Sequence, residues 1–397
     1  MSEAFRRAMA NKLPQLPQTK APWAEEDEEE QEELEEEGDD LGDLHAALPP
    51  ATKYGSTDLS PLSASLFFSQ ALEVNPSSSS STTFRVYLSP PTVSTGNGKG
   101  KGTYLICHHG AGASGLSFAA LAKNVTEQSK GELGVLAYDC RGHGKTKTDS
   151  KESDRDLSLP TLLNDLLGLI EHIFPNTSDA PSFILLGHSM GAAPILSSAP
   201  ILQNKGYAIS GVVVLDVVEG TAIESLPLMK TILAQRPNDF KSVIDAIHWH
   251  LTSHTIRDTE AARVSVPSFL VPSMIDSGPG GKQLWRTDLL ATGPYWEEWY
   301  TGLSKRFLKA RCARLLVLAG QERLDKELMV GQMQGKFQLE VMQDTGHYLH
   351  EDDPSSLAST LIQFWRRNTR ILVLPPKIGQ PGVPGLKGNV VKRVGEA

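Results

Sequence analysis

From Phe84 onwards the chain alternates short, almost continuously apolar segments with longer segments in which apolar residues recur every three or four positions. Seven of the short segments have the length and composition of β-strands. They are residues 84–88, 104–107, 134–138, 183–186, 211–215, 315–319 and 337–341. Strands with apolar residues on both faces are typical of a sheet covered on both sides, so the pattern predicts an α/β fold with a mostly parallel central sheet.

Three of the longer segments should form helices that cover this sheet. They are residues 161–174, 192–202 and 355–367, which carry apolar residues at helical spacing. The Gly- and Lys-rich stretch 96–102, which separates the first two predicted strands, is typical of a hairpin loop. We expect residues 51–375 to form one folded domain.

Both ends of the chain lie outside the predicted domain. Residues 25–43 contain fourteen Asp or Glu and no Lys or Arg. Because such a segment buries too little apolar surface to offset its ordering entropy, residues 1–50 are predicted to be a disordered acidic tail. Residues 376–397 combine Pro, Gly and Lys and predict a flexible tail.

A third segment, residues 219–310, interrupts the alternation of strands and helices. It is helix-like, contains a Pro-, Ser- and Gly-rich loop at 266–281, and carries four tryptophans, which are Trp249, Trp285, Trp296 and Trp299. An insertion between late strands lies above the carboxyl end of the sheet, so we expect a cap or partner-binding insertion there. Its tryptophans form either the core of this cap or a recognition surface.

Charge and cysteine content narrow the class of protein. The net charge is −9, but without the acidic run the rest of the chain carries +5, which is too little for a nucleic-acid-binding surface. The three cysteines, Cys107, Cys140 and Cys312, are far apart and predict free thiols in a reducing compartment. The chain shows neither a signal peptide nor an apolar run of about 18 residues. We therefore expect a soluble intracellular protein without membrane contact, in the cytoplasm first and the nucleus second.

The segment 183–192 places the motif Gly187-x-Ser189-x-Gly191 between an apolar strand and a helix-prone stretch. This is the pattern of a nucleophile elbow, in which a sharp turn exposes the serine hydroxyl above a parallel sheet. The motif alone is weak evidence for such an elbow, and the strand before it and the helix-prone stretch after it strengthen that evidence. The backbone N–H of Met190, directly after the serine, would face the substrate.

A nucleophilic serine needs a base, and the base needs an acid that orients it. His347 is the base candidate, because it follows the last predicted strand in a loop, and His350 is its rival. In α/β hydrolases the acid lies between the serine and the histidine in sequence. Asp216 ends one strand and Glu322 and Asp325 follow another, and spacing alone favours the later pair.

A tetrahedral intermediate also requires N–H donors for its oxyanion. The stretch His109–Gly112 follows a strand, so the Ala111 N–H would act together with that of Met190. Residues 144–146 end like a phosphate-binding loop, but Asp139 stands where its first glycine belongs. The histidines show no metal-ligand spacing, so neither a metal nor another cofactor is expected.

Several stretches together resemble the protein phosphatase methylesterases of the α/β hydrolase superfamily. They are GHSMG at 187–191, LDVVEGTA at 215–222, AARVS at 261–265, WRTD at 285–288, residues 320–326, VGQMQGKF at 330–337, and residues 346–352. GxSxG and GHxxHED occur in many hydrolases, whereas LDVVEGTA and GQMQGKF are specific to this family. Two features depart from its pattern: the glycine turn reads HHGAGAS instead of HGGGHS, and the stretch 266–282 is short.

The resemblance implies a serine carboxylesterase that removes the methyl ester from the C-terminal leucine of the protein phosphatase 2A catalytic subunit and so regulates that phosphatase. By position it implies Ser189 as nucleophile, Asp216 as acid and His347 as base. It also implies that the cap loop binds the phosphatase. Two alternatives stay open: a general serine esterase or thioesterase for small esters, and a non-catalytic scaffold that binds the phosphatase.

Overall fold

The computed structural model of the chain describes residues 58–76, 82–92, 102–273, 281–320 and 324–369. Eleven strands occur within these residues. In chain order they are β1 (Gln70–Val74), β2 (Phe84–Ser89), β3 (Thr103–His108), β4 (Leu133–Tyr138), β5 (Ser182–His188), β6 (Ile209–Leu215), β7 (Asp239–Phe240), β8 (Leu270–Pro272), β9 (Gln283–Trp285), β10 (Ala313–Ala319) and β11 (Gln338–Met342). Eight form a central sheet in the order β1-β2-β4-β3-β5-β6-β10-β11, and β7, β9 and β8 form a small second sheet.

Twelve α-helices lie between and after these strands in the described part of the chain. They are α1 (Ala119–Gln128), α2 (Lys151–Arg155), α3 (Leu159–Ile173), α4 (Ala192–Asn204), α5 (Glu219–Ala234), α6 (Val243–Thr252), α7 (Thr259–Ser265), α8 (Trp296–Tyr300), α9 (Leu303–Lys309), α10 (Lys326–Met333), α11 (Leu349–Asp352) and α12 (Pro354–Thr369). Short 3-10 helices occur at Ala64–Leu66, Gly115–Phe118, Ser189–Gly191, Val266–Phe269 and Leu290–Tyr295.

The central sheet is mostly parallel, as predicted. The pairs β1–β2 and β2–β4 are antiparallel, and the other neighbouring strands run parallel. All seven predicted strands and all three predicted helices form, with ends shifted by no more than two residues. The sequence pattern missed β1, because four of its five residues are exposed and it lies at the edge of the sheet.

Helices cover both faces of the sheet, which explains why its strands read as continuous apolar runs. In β3, Leu105 and Cys107 pack in one core, while Tyr104 and Ile106 pack in the other. Because side chains alternate between faces along a strand, each face of β3 meets a layer of helices and neither meets water. The buried strands thus provide a rigid frame for the groups at their ends.

The carboxyl ends of β3, β5, β6 and β10 lie side by side at one edge of this frame. Strand β3 is central, with β4 hydrogen-bonded on one side and β5 on the other. The chain therefore moves outward in both directions from β3, and the crevice beside such a reversal is the usual ligand site of an open α/β sheet. The loops that follow β3 and β5 carry the candidate oxyanion turn and Ser189.

The segment between β6 and β10 contains α5 to α9 and the small three-stranded sheet. The sequence predicted helices here but not the small sheet, whose strands are only two or three residues long. Trp296 and Trp299 are buried in a core that the central sheet also lines. Trp249 and Trp285 are half-buried and pack around Phe240. The segment between β6 and β10 is thus continuous with the cores of the central sheet.

Several predictions lie wholly or partly outside the described residues. These are the two tails, the loop 96–102 except Gly102, and residues 274–280 of the cap loop. The prediction of a hairpin at 96–102 is wrong, because β2 and β3, which this loop connects, are not neighbours and β4 lies between them in the sheet. The three cysteines are free; Cys107 and Cys140 are buried and Cys312 is half-buried. Among the helices described, none has the length and apolar character needed to cross a membrane.

Candidate active site

Ser189 stands in a strained turn between β5 and α4. Its backbone φ is +51°, in the left-handed region that L residues rarely adopt. A Cβ at Gly187 would lie 2.4 Å from the Gly191 carbonyl oxygen, and a Cβ at Gly191 would lie 2.3 Å from the carbonyl oxygen of His108. The two glycines of the motif are therefore required by the close approach of the backbone, which turns Ser189 out of the sheet.

Asp216 follows β6 and is buried, with a backbone φ of +49°. Its Oδ1 accepts the Ala319 N–H at 2.8 Å, and its Oδ2 accepts the His347 Nδ1–H at 2.8 Å. Burial raises the pKa of Asp216, but the charges and hydrogen bonds around the carboxylate, those of His347 among them, lower it below its ordinary value. The carboxyl group is thus ionised at neutral pH and orients the imidazole.

His347 lies in the loop between β11 and α11, where two contacts hold its backbone against the elbow. His188, directly before Ser189, donates from Nε2 to the His347 carbonyl oxygen at 2.8 Å. Asp352 accepts the N–H groups of Gly346 and Arg257 and so fixes the start of the loop. Because Nδ1 carries the proton bound by Asp216, Nε2 of His347 is left as the acceptor that a general base needs.

The structure places His350, the rival base, and Asp325, a rival acid, in other surroundings than His347 and Asp216. His350 is fully buried, its ring packs 4.7 Å from that of Phe118, and neither ring nitrogen has a partner among the described residues. Asp325 caps α10 by accepting the Leu328 N–H, and its other oxygen accepts the Ser304 hydroxyl. Glu322 lies outside the described residues. Neither His350 nor Asp325 shares a hydrogen bond with the elbow.

The turn after β3 packs against the elbow and brings backbone N–H groups towards it. A Cβ at Gly110 would lie 3.2 Å from the Ser189 Cβ, so the two segments are in contact. Gly112 has a φ of +78°, and its N–H donates to His143 Nε2 at 2.9 Å. The Ala111 N–H has no acceptor among the described residues, and Met190 is the second residue of the 3-10 helix Ser189–Gly191, in a first turn whose N–H groups lack intrahelical acceptors.

His109, Cys140 and His143 form a buried group below this turn, with ligand atoms close enough to surround a metal ion. His109 donates from Nδ1 to the Gly110 carbonyl oxygen and accepts the Cys140 N–H at Nε2. His143 donates from Nδ1 to the Arg141 carbonyl oxygen. Burial lowers the pKa values of both imidazoles, so both rings are neutral. The hydrogen bonds fix the tautomer of each ring and support the turn.

Tyr300, at the end of α8 in the cap insertion, is a site residue that the sequence analysis missed. Helix α8 contacts the 3-10 turn Ser189–Gly191. Burial raises the pKa of Tyr300, and the neighbouring Ser189 lowers it by less, so that the phenol is neutral at ordinary pH. A tyrosine 111 positions after the elbow carries no local sequence signal for such a role.

The arrangement contains the parts that acyl transfer requires. A serine hydroxyl stands on a strained turn, a histidine that is hydrogen-bonded to the residue before this serine is oriented by an ionised carboxylate, and two backbone N–H groups come from segments in contact.

Comparison with known proteins relates the chain to one family. A family model described as "Alpha/beta hydrolase family" matches residues 105–360. A relative from Cryptococcus neoformans var. neoformans serotype D, named "Protein phosphatase methylesterase 1", is 59% identical over the whole of both chains. A relative of the same name from Aspergillus fumigatus is 44% identical over 82% of this chain and 77% of its own.

Solved structures agree on the fold. The hydrolase of E-2-(acetamidomethylene)succinate is similar with a TM-score of 0.56 and 18% identity, covering 75% of this chain and 99% of its own. An esterase of M. tuberculosis gives a TM-score of 0.53 at 16% identity, over 75% of this chain and 92% of its own. At such low identity the likeness concerns the fold alone.

Changing His350 to Leu should leave the esterase activity in place and make the fold less sensitive to acid. Burial lowers the pKa of His350 to about 3, so between that value and its ordinary value of 6.5 only the unfolded chain takes up the proton. Stability is then lost as the pH falls below about 6.5. Urea unfolding should show that the stability lost between pH 7 and pH 5 is smaller in the variant by about 1–2 kcal/mol.

The matched control is His172→Leu, which removes an exposed imidazole. It should keep the pH dependence of the unmodified protein. Complete loss of esterase activity in a folded His350→Leu protein would contradict this account and favour His350 as the base.

Proposed function

The chain belongs to the protein phosphatase methylesterase family of α/β hydrolases, and we propose that it removes the methyl ester from the C-terminal leucine of the protein phosphatase 2A catalytic subunit. It is a carboxylic ester hydrolase, as the family membership shows. The observation that carries the proposed site is the 2.8 Å hydrogen bond between Asp216 and His347, in a loop that is itself hydrogen-bonded to the residue before Ser189.

In the first half of the proposed reaction, Ser189 Oγ attacks the ester carbonyl carbon while His347 Nε2 takes the hydroxyl proton. The carbonyl oxygen becomes an oxyanion that the N–H groups of Ala111 and Met190 stabilise. When the intermediate collapses, the bond to the methoxy oxygen breaks and His347 returns the proton to that oxygen. Methanol leaves, and the leucine acyl group stays bonded to Ser189.

In the second half a water molecule replaces methanol. His347 Nε2 takes a proton from the water as its oxygen attacks the acyl carbon, and the same N–H groups receive the second oxyanion. The bond to Ser189 Oγ then breaks, and His347 returns the proton to the serine. The products are a free C-terminal carboxylate and the regenerated enzyme.

Asp216 supplies no proton in this scheme. Its carboxylate keeps the proton of His347 on Nδ1 and stabilises the imidazolium that forms in each half-reaction. Its second oxygen is held by Ala319, so the carboxylate cannot rotate without losing a buried hydrogen bond.

Selectivity for one protein terminus has to come from more than the leucine side chain. A pocket for an aliphatic group discriminates by only about 1–3 kcal/mol per methylene, and methanol is too small a leaving group to add much. We propose that docking of the whole phosphatase on the cap insertion provides the remaining selectivity, with the loop between β8 and β9 as part of the contact.

Neutralising the acid should separate Asp216 from its rival. Asp216→Asn should lower methyl release from methylated phosphatase 2A by about 10⁴-fold, the effect of the same change in the serine protease triad, because the Asn amide donates to Nδ1 of His347 and leaves the proton on Nε2, which then cannot act as the base. Ser189→Ala should be equally inactive. Methyl release is measured by mass spectrometry of the phosphatase C-terminal peptide.

The matched control is Asp325→Asn, which should remain active because Asn caps a helix as well as Asp does. An inactive Asp325→Asn together with an active Asp216→Asn would show that the acid is assigned to the wrong residue. Turnover of a small ester without any turnover of methylated phosphatase would favour a general esterase.

The docking proposal is tested by replacing residues 274–280 with a short Gly/Ser linker. A wider deletion would remove Val266, Phe269 and Leu270, which are buried in the core. The linker is compatible with the remaining structure, because Ser273 donates to the Lys282 carbonyl oxygen at 2.8 Å and already brings the two ends together. Activity on methylated phosphatase should fall at least tenfold, while hydrolysis of p-nitrophenyl acetate stays unchanged. Equal loss on both substrates would contradict docking by this loop.

A further inference from the structure

Residues 286–289, the anchor segment, directly follow β9 and hold the loop after β4. The Thr287 hydroxyl donates to the Gly142 carbonyl oxygen at 2.7 Å. The Arg286 guanidinium donates to the Asp154 carboxylate at 2.9 Å, and the same carboxylate accepts the Gly142 N–H at 3.1 Å. The C=O and the N–H of Gly142 are therefore both fixed by the anchor segment, the first directly and the second through Asp154.

The fixed loop carries His143 to the turn after β3. Gly142 has a φ of +71°, and a Cβ there would lie 2.5 Å from the Asp154 carbonyl oxygen, so the loop requires glycine at this position. The next residue, His143, is fully buried, and its Nε2 accepts the Gly112 N–H at 2.9 Å. The ring proton is thus on Nδ1, which donates to the Arg141 carbonyl oxygen at 2.8 Å. The imidazole connects the two loops.

The anchor segment also touches the turn after β3 directly. A Cβ at Gly112 would lie 3.0 Å from Cδ1 of Leu289 and 3.2 Å from its Cδ2. Gly112 is therefore held through its N–H by His143 and covered by the Leu289 side chain. Both contacts lead back to the anchor segment, one directly and the other through the loop after β4.

The position of Gly112 determines the direction of the Ala111 N–H. In this turn the Gly110 carbonyl oxygen accepts the Ala113 N–H at 3.2 Å and the His109 Nδ1–H at 2.8 Å, and both donors belong to buried residues. Because the C=O and N–H of a planar trans peptide point in opposite directions, the Ala111 N–H points away from these donors. Gly112 is the third residue of the turn, where a positive φ defines the type II geometry, so a shift of Gly112 reorients the Ala111 peptide.

We propose that His143 is a positioning residue for the oxyanion site and that Thr287 keeps it in place. Thr287 fixes the loop after β4, and His143 then binds the Gly112 N–H. The turn fixed in this way directs the Ala111 N–H at the oxyanion in both half-reactions. This inference rests on the proposed function, which places the oxyanion at that N–H. Neither His143 nor Thr287 touches the substrate or exchanges a proton during the reaction.

The first test is Thr287→Val, because valine keeps nearly the shape of threonine and lacks the hydroxyl group. With p-nitrophenyl acetate, kcat should fall about fivefold, the factor for one hydrogen bond of ordinary strength, while KM stays unchanged. The inhibition constant of a trifluoromethyl ketone, which forms an oxyanion when the serine adds to it, should rise by the same factor. A role in folding alone would lower the melting temperature and leave kcat and the inhibition constant of the folded protein unchanged.

The second test changes His143 itself. His143→Leu removes the acceptor of the Gly112 N–H and should lower kcat by about 10²-fold, as removal of one oxyanion donor does. In His143→Gln the side-chain oxygen can accept the same N–H, so this variant should be at least tenfold more active than His143→Leu. The inhibition constant of the ketone should change with kcat in both variants. Where His143→Leu does not fold, Thr287→Val decides the question.

Thr252→Val is the matched control, since the Thr252 hydroxyl donates to carbonyl oxygens of its own helix, α6. It should keep the kcat, the KM and the inhibition constant of the unmodified protein. An unchanged kcat and inhibition constant in folded Thr287→Val would overturn the positioning role, as would a His143→Gln protein that is no more active than folded His143→Leu. Failure of the ketone to inhibit the unmodified protein, or full activity of Ser189→Ala, would instead overturn the proposed reaction and this inference with it.

Discussion

The hydrogen bond between Asp216 and His347 is the contact on which the rest of the site depends. The Asp216 carboxylate is buried at the end of β6, receives the Ala319 N–H that follows β10, and binds Nδ1 of His347 from the loop after β11. One carboxylate therefore connects three adjacent strand ends. A buried charge is costly unless it is hydrogen-bonded, so each of these partners is required by the others.

A second constraint is the close approach of backbone segments around Ser189. Gly187 has no room for a side chain because the elbow turns back on itself, and Gly191 and Gly110 have none because the elbow and the segment after β3 touch each other. This approach strains Ser189, whose φ is positive, and it brings the segment that carries the Ala111 N–H into contact with the one that carries the Met190 N–H. The strain at Ser189 and the candidate oxyanion site thus arise from the same contact, and the buried strands beneath them resist its relaxation.

The parts of this arrangement that are local in sequence could be predicted, and those that depend on distant packing could not. The strands, Ser189 and His347 follow from apolar runs and short motifs. Asp216 was favoured over Asp325 only through family resemblance, because both follow strands, and only the structure reveals that Asp325 caps a helix. Strand β1 was missed because its residues are exposed, and Tyr300 because only the folding of the cap brings it to the elbow.

Nuclear magnetic resonance of the protein labelled with ¹⁵N-histidine tests the central pairing most directly. A ring Nδ1 proton donated to a buried carboxylate is protected from exchange and resonates far downfield. We expect one such signal from His347 in the unmodified protein, its loss in Asp216→Asn and in His347→Gln, and its persistence in Asp325→Asn. A signal that survives in Asp216→Asn and disappears in Asp325→Asn would contradict the account.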